Sequence, residues 1–364
     1  MAATLFRTEG KIHPIEAHRP TLSKQELESV LDCLINDQLG PGKVVQRFEK
    51  SFSSTFQFKH VLAVNSLAAA YHLAYLALDI GPGSLILMSS LAPIQAYDAA
   101  IYTGAEVRLL DAARESFHPE PDAPLALCEE RETAAFILDH TFGSYADFDC
   151  EALRKKGVKI IEDFTGVVGS MTESGVYAGT RGDISVCGLS QYDLITTGNG
   201  AILTSPSSTL ARKAADSIYG EKRPPGRTAA YDYRLSDFQA AMGVDQLTRL
   251  GAVSERRKKI GRRYLENLRP LPHETFFRNP EMDGYLKFPV LINRPFNESL
   301  RYFNSLRIGA ERALPQPLHH LLDLPRLEYP NAERIYQKAV SIPVYPSLTA
   351  NNVERVCSSL RGLL

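Results

Sequence analysis

Between residues 61 and 203, short apolar runs alternate with helix-like segments, and this alternation restricts the possible folds more than any other feature of the chain. The runs at 61–64, 84–88, 106–110, 134–138, 158–161, 184–186 and 201–203 are too short for helices. They read as strands, and the runs at 134–138 and 158–161 read as strands buried on both sides. The segments 68–78, 96–103 and 150–156 carry helical periodicity between them. Strands separated by helices specify an α/β fold, a mostly parallel central sheet with helices on both faces. Ligands of such sheets bind beyond the carboxyl ends of the strands, which directs attention to the residues just after each run.

Upstream, Leu22, Leu27, Val30, Leu31, Leu34 and Ile35 recur with the period of an amphipathic helix. The turn Gly40-Pro41-Gly42 then opens a second helix with Val44, Val45, Phe48 and Phe52 on one face. Downstream, a polar loop at 223–227 precedes a long helix over about 236–265. From about 270 onward the pattern is that of a small α+β unit, with a strand at 288–292 and helices at 298–306, 332–341 and 351–360. No internal repeat or low-complexity tract interrupts it.

With 41 Lys+Arg against 42 Asp+Glu the net charge is -1 and no basic block is expected, which argues against a nucleic-acid partner. The five cysteines are scattered, with no C-x-x-C pair and no histidine spaced to complete a zinc site, so no metal is expected. Such cysteines suit a reducing compartment. Arg7, Glu9, Lys11 and His13 near the start, without a long apolar stretch, argue against a signal peptide. No run approaches the roughly 18 apolar residues of a membrane span, so a cytoplasmic protein without a membrane partner is expected.

Several ordered segments carry a family resemblance. They are Gly40-Pro41-Gly42-Lys43-Val44 with Phe48-Glu49, then 60–74 (HVLAVNSLAAAYHLA), 139–149 (DHTFGSYADFD), 158–169 (VKIIEDFTGVVG), 196–204 (TTGNGAILT), 231–247 (YDYRLSDFQAAMGVDQL) and 342–349 (IPVYPSLT). Together they resemble the DegT/DnrJ/StrS sugar aminotransferases, which have the fold-type-I architecture of pyridoxal-phosphate (PLP) enzymes. The resemblance implies a large domain over 1–250 and a small C-terminal domain over 251–364. It also implies a nucleotide-sugar ligand and a dimer whose sites draw on both subunits.

The same resemblance places the family's ring-nitrogen acid at Asp163, but its Schiff-base lysine falls on Asp193. Residues 195–200 hold that register without a gap, and no lysine occurs between Lys159 and Lys213. An aspartate cannot form an imine. The expected phosphate cup reads Ser66-Leu67-Ala68, with Leu67 and Ala68 in place of a glycine and a threonine. Gly188 stands for a phosphate-contacting serine, Asp232 for an asparagine that reaches the neighbouring subunit's phosphate, Pro93 for a stacking aromatic, and Gly166 for a glutamine. His140, Ser190, Gln191 and Tyr192 complete the polar set around these positions.

Two readings follow. In the first, the chain takes no cofactor and is a pseudoenzyme partner or a ligand-binding protein, either a homodimer or the partner of a lysine-bearing paralogue. In the second it is a lysine-independent enzyme, with non-covalent PLP or its amine form PMP and Asp193 or His140 as base, or with no cofactor and the carboxylates of Asp163 and Asp193 as acid and base.

Overall fold

The computed structural model describes residues 13–218 and 229–363. The expected loop at 223–227 and the residues Arg7, Glu9 and Lys11 lie outside the described residues. The large sheet contains β1 (His60–Val64), β2 (Leu85–Ser89), β3 (Glu106–Leu110), β4 (Ala135–Asp139), β5 (Lys159–Asp163), β6 (Ile184–Gly188) and β7 (Ala201–Ser205). They lie in the order β1-β7-β6-β5-β4-β2-β3, and β7 alone runs against its neighbours.

The helices before and between these strands are α1 (Lys24–Ile35), α2 (Lys43–Phe56), α3 (Leu67–Ala77), α4 (Ile94–Thr103), α5 (Ala123–Glu130) and α6 (Cys150–Lys155). After β7 come α7 (Ser208–Asp216) and the long α8 (Asp237–Leu268). A second, antiparallel sheet of order β8-β10-β9 is built from β8 (Phe288–Leu291), β9 (Glu311–Arg312) and β10 (Ala339–Ile342). It is accompanied by α9 (Phe296–Ser305), α10 (Leu318–Leu321), α11 (Pro330–Lys338) and α12 (Ala350–Arg361).

All seven expected strands of the large sheet are present, because each central run is buried on both faces as its apolar sequence requires. The pleat divides their side chains between separate cores. Ile184 and Val186 face Tyr71 and Tyr75, whereas Cys187 and Ile202 face the Phe48, Phe52, Phe58 and Phe164 cluster.

Three readings change. The helix expected at 332–341 ends at Lys338, and 339–342 form the central strand of the small sheet, paired on both edges. The helix at the chain's start exists, but its polar Glu26 and Cys33 are the buried residues. Leu27, Leu31 and Ile35 stand 67%, 51% and 71% exposed. Finally, six of the eight residues at 256–263 are Lys or Arg, a block that the overall charge balance hides. Most of these side chains are tied down internally. Arg257 donates to the carbonyls of Tyr285 (3.0 Å) and Val344 (2.7 Å), Lys258 to that of Glu281, and Arg263 makes a two-pronged pair with Glu354. α8 runs unbroken through residue 250, the expected division between the two units, and these contacts bind it to the C-terminal segment.

Candidate functional site

The site is built at the carboxyl ends of β4, β5 and β6, where the parallel order places successive strand ends side by side. Asp163 ends β5 and is buried beneath α3. Its Oδ2 accepts from the Tyr71 hydroxyl at 2.7 Å, and its Oδ1 accepts from both the Thr165 backbone N–H (2.9 Å) and the Thr165 hydroxyl (2.5 Å). The Thr165 hydroxyl oxygen in turn accepts from the Gly188 N–H at 2.7 Å, joining β5 to β6. Both oxygens of the carboxylate therefore accept from the chain's own donors, Oδ1 twice and Oδ2 once.

Asp193 lies on the hairpin between β6 and β7, whose base is pinned by Leu189 N–H to Gly200 O and Thr197 N–H to Leu189 O. Its Oδ2 accepts from the Ser190 N–H at 2.6 Å, so the carboxylate curls back onto its own loop. A Cβ at Gly188 would stand 2.9 Å from that oxygen and 3.2 Å from the Thr165 methyl carbon. The serine that the resemblance leads one to expect at 188 thus has no room while Asp193 keeps this orientation.

Gly166 is enclosed by backbone. A Cβ there would lie 2.7 Å from both N and Cα of Gly143, so a glutamine cannot occupy the position without moving two chain segments. Ser66 caps α3, its hydroxyl accepting from the Ala69 N–H at 3.2 Å, with half-buried Leu67 and Ala68 opening the helix. Pro93 is the half-buried cap residue of α4. Asp232 is exposed; its carbonyl accepts from the Asn65 side chain at 3.0 Å and its carboxylate pairs with Arg234 at 2.9 Å. Gln191 and Tyr192 are exposed, and Tyr192 lies 5.1 Å from the His18 ring.

His140 does not join this group as a base. Its Nδ1 accepts from the Ala146 N–H (2.9 Å), its Nε2 lies 3.2 Å from Glu162 Oε1, and its ring stacks on Tyr145 at 4.9 Å. Glu162 and Asp163 are consecutive in β5 and point to opposite faces, so the histidine is bound on the far side of the sheet.

Sequence reasoning missed Tyr71 and Thr165, the two donors to Asp163, and also Asp139. Asp139 ends β4 directly beside Asp163 in the sheet register, and its carboxylate accepts from the Thr141 hydroxyl. A polar residue ending an apolar run was the signal available for Asp139. The site accordingly holds three carboxylates with weakened acidity. Burial pushes Asp139 up to about 6 and Asp193 up to about 7, with the charge of Asp163 adding to both. Burial also raises Asp163 itself, against the opposing hydrogen bonds from Thr165 and Tyr71. Asp139 and Asp193 thus exchange protons near neutrality, and Asp193, half-buried, keeps an edge to solvent.

Comparison with known proteins agrees with this fold. The sequence profile of the DegT/DnrJ/EryC1/StrS aminotransferase family matches residues 20–361. GDP-perosamine synthase of Caulobacter vibrioides is 26% identical over 96% of this chain and 98% of its own length. The spore coat polysaccharide biosynthesis protein SpsC of Bacillus subtilis is 25% identical over 95% of this chain and 96% of its own. Among solved structures, the PLP form of the sugar aminotransferase Spr1654 from Streptococcus pneumoniae superposes with a TM-score of 0.86 at 18% identity. It covers 96% of this chain and 98% of the other, which establishes the fold-type-I PLP-transferase fold.

The residues present do not fit PLP held in the manner the fold implies. The stretch 160–212 offers no lysine for an imine, the Asp163 carboxylate already accepts from Tyr71 and Thr165, and Leu67, Ala68 and Gly188 offer no hydroxyl to a phosphate.

Proposed function

The chain belongs to the DegT/DnrJ/EryC1/StrS aminotransferase family, and on that premise we propose that it does not transaminate. It serves a sugar or polysaccharide pathway as a pseudoenzyme that binds a nucleotide-sugar-like ligand and takes no PLP. The observation that carries this reading is the closed hydrogen-bonded path from Tyr71 through Asp163 and Thr165 to Gly188, beside an aspartate in the lysine register. The pathway class is carried over from the names of GDP-perosamine synthase and SpsC. The partner is a second copy of the chain. The outward apolar stripe of α1, continued by Leu22, Leu34 and Leu39, supports an oligomer. A lysine-bearing paralogue is disfavoured, because Asp232, where the resemblance leads one to expect an asparagine, offers that partner's phosphate a carboxylate and no amide donor. The compartment is the cytoplasm: the five cysteines are free thiols, and no helix among the described residues is long and apolar enough to cross a membrane.

A second reading rests on Asp193, which titrates near neutrality and remains in reach of solvent. In it the cleft performs cofactor-free acid–base chemistry on a keto sugar or related small molecule, with Asp163 as the neighbouring charge. One experiment separates the readings. Purified protein is mixed with PLP, its near-ultraviolet to visible absorption is recorded, and borohydride treatment is followed by mass spectrometry. No band and no pyridoxyl-lysine adduct are expected; a stoichiometric adduct refutes the proposal. Thermal-shift titration with nucleotide-linked sugars then tests binding, and turnover of any of them favours the second reading. Sedimentation at micromolar concentration is expected to show a dimer.

A further inference from the structure

Away from the cleft, His319, His320 and Glu333 bring three metal-ligating atoms within 4.8 Å of one another. We infer that these residues form a divalent transition-metal site, suited above all to Zn²⁺, that joins α10 to α11. The inference does not depend on whether the chain transaminates.

Two imidazoles and one carboxylate are a common donor set for zinc, with a water completing a tetrahedron. Ligand atoms about 2.0–2.1 Å from such an ion lie about 3.3 Å apart. The His319 Nε2 stands 3.3 Å from Glu333 Oε2, and the His320 Nε2 stands 2.6 Å from the same oxygen. Of the three edges between these donors, one is already at the required length, the second opens by less than an ångström when an ion replaces the hydrogen bond, and the third, between the two imidazoles, lies within 4.8 Å.

The surroundings hold the donors in place. The Ser90 hydroxyl, at the end of β2, lies 2.6 Å from His319 Nδ1, so when it accepts that N–H the lone pair of Nε2 faces Glu333. The His319 ring stacks on Tyr329 at 4.8 Å, and the His320 ring meets Tyr336 edge-on at 4.9 Å. Glu333 receives the Gln337 side-chain N–H and, at 3.7 Å, the Arg326 guanidinium on its other oxygen, Oε1, which leaves Oε2 toward the histidines. The His319 side chain is fully buried, while those of His320 and Glu333 keep 7% and 12% exposure, an edge by which an ion enters. Because no cysteine takes part, the spacing that betrays zinc sites in sequence is absent.

The test uses untagged full-length protein, stripped with a chelator and dialysed against Zn²⁺ alone. One zinc per chain by elemental analysis is expected, and Co²⁺ is expected to give the intense visible bands of a four-coordinate site. His320→Ala and Glu333→Gln should each weaken binding at least about tenfold. Their folding is checked by circular dichroism, and the wild-type stoichiometry stands independently of either variant. Less than a tenth of an equivalent of zinc in the wild type, or affinity unchanged in both variants, overturns the site and leaves the three residues as a hydrogen-bonded strut.

Discussion

Replacing Asp193 with asparagine tests the electrostatic account of the cleft. The variant keeps the volume and an acceptor for the Ser190 N–H but removes the charge. The folded-state pKa of Asp193 is pushed up to about 7, against about 3.9 for an unfolded aspartate. The folded protein therefore retains a proton that the unfolded chain has lost between about pH 4 and pH 7. Wild-type stability must fall as pH rises through that window and level off above it. Three units at about 1.36 kcal/mol each set an upper limit of about 4 kcal/mol. The attraction of Arg257 for the ionised aspartate is already contained in that folded value, and the solvent edge of Asp193 lowers the expected gain to about 2 kcal/mol at pH of about 8. Near pH 4 both proteins carry a neutral group at 193, and their stabilities should converge. Urea unfolding at the two pH values measures this difference. Asp139 and Asp283, raised to about 6 and about 7, keep a residual slope in both proteins. The reasoning is refuted if the gap between variant and wild type does not widen with pH, or if the asparagine variant is the weaker at pH of about 8.

Other outcomes follow from neighbouring contacts. Tyr71→Phe removes a fully buried hydroxyl donor to Asp163 and should cost about 1.5–3 kcal/mol in urea unfolding. Gly188→Ser should cost about 1–3 kcal/mol in the wild type and distinctly less in an Asp193→Ala background, because its Cβ meets the Asp193 oxygen; equal costs would show no coupling in the double-mutant cycle. Asp193→Lys alone should give no saturable imine band on PLP titration, since Asp163 stabilises the ammonium form and the phosphate hydroxyls are still missing. Glu26→Ala should detach α1, costing about 3 kcal/mol and exposing residues 24–35 to hydrogen exchange, because Glu26 is the buried acceptor of Gln246 (2.6 Å) and Arg249.

The alternation of apolar runs and helical segments was sufficient for the α/β class and for the strands of the large sheet, and the central ones are predominantly apolar because they are covered on both faces. Local chemistry was equally readable. The turn Gly40-Pro41-Gly42 opens α2 as its sequence requires, and no lysine occurs between Lys159 and Lys213. Patterns with two physical meanings were not readable. The run at 339–342 continues a helical period, yet it becomes a strand because β8 and β9 flank it. The stripe of α1 reads as a core face, but the buried pairing of Glu26 with residues of α8 turns it outward.

The same division holds at the site. Sequence alone determined which groups are present: an acid at 163, no lysine from 160 to 212, and no hydroxyls at 67, 68 and 188. Only the tertiary structure decided what those groups do. Tyr71 and Thr165 close over Asp163, Gly143 fills the space at Gly166, His140 turns to Glu162 across the sheet, and His319, His320 and Glu333 converge. A hydrogen bond or a steric block depends on ångström-scale distances between residues far apart in the chain, and those distances are set by packing rather than by local residue preference.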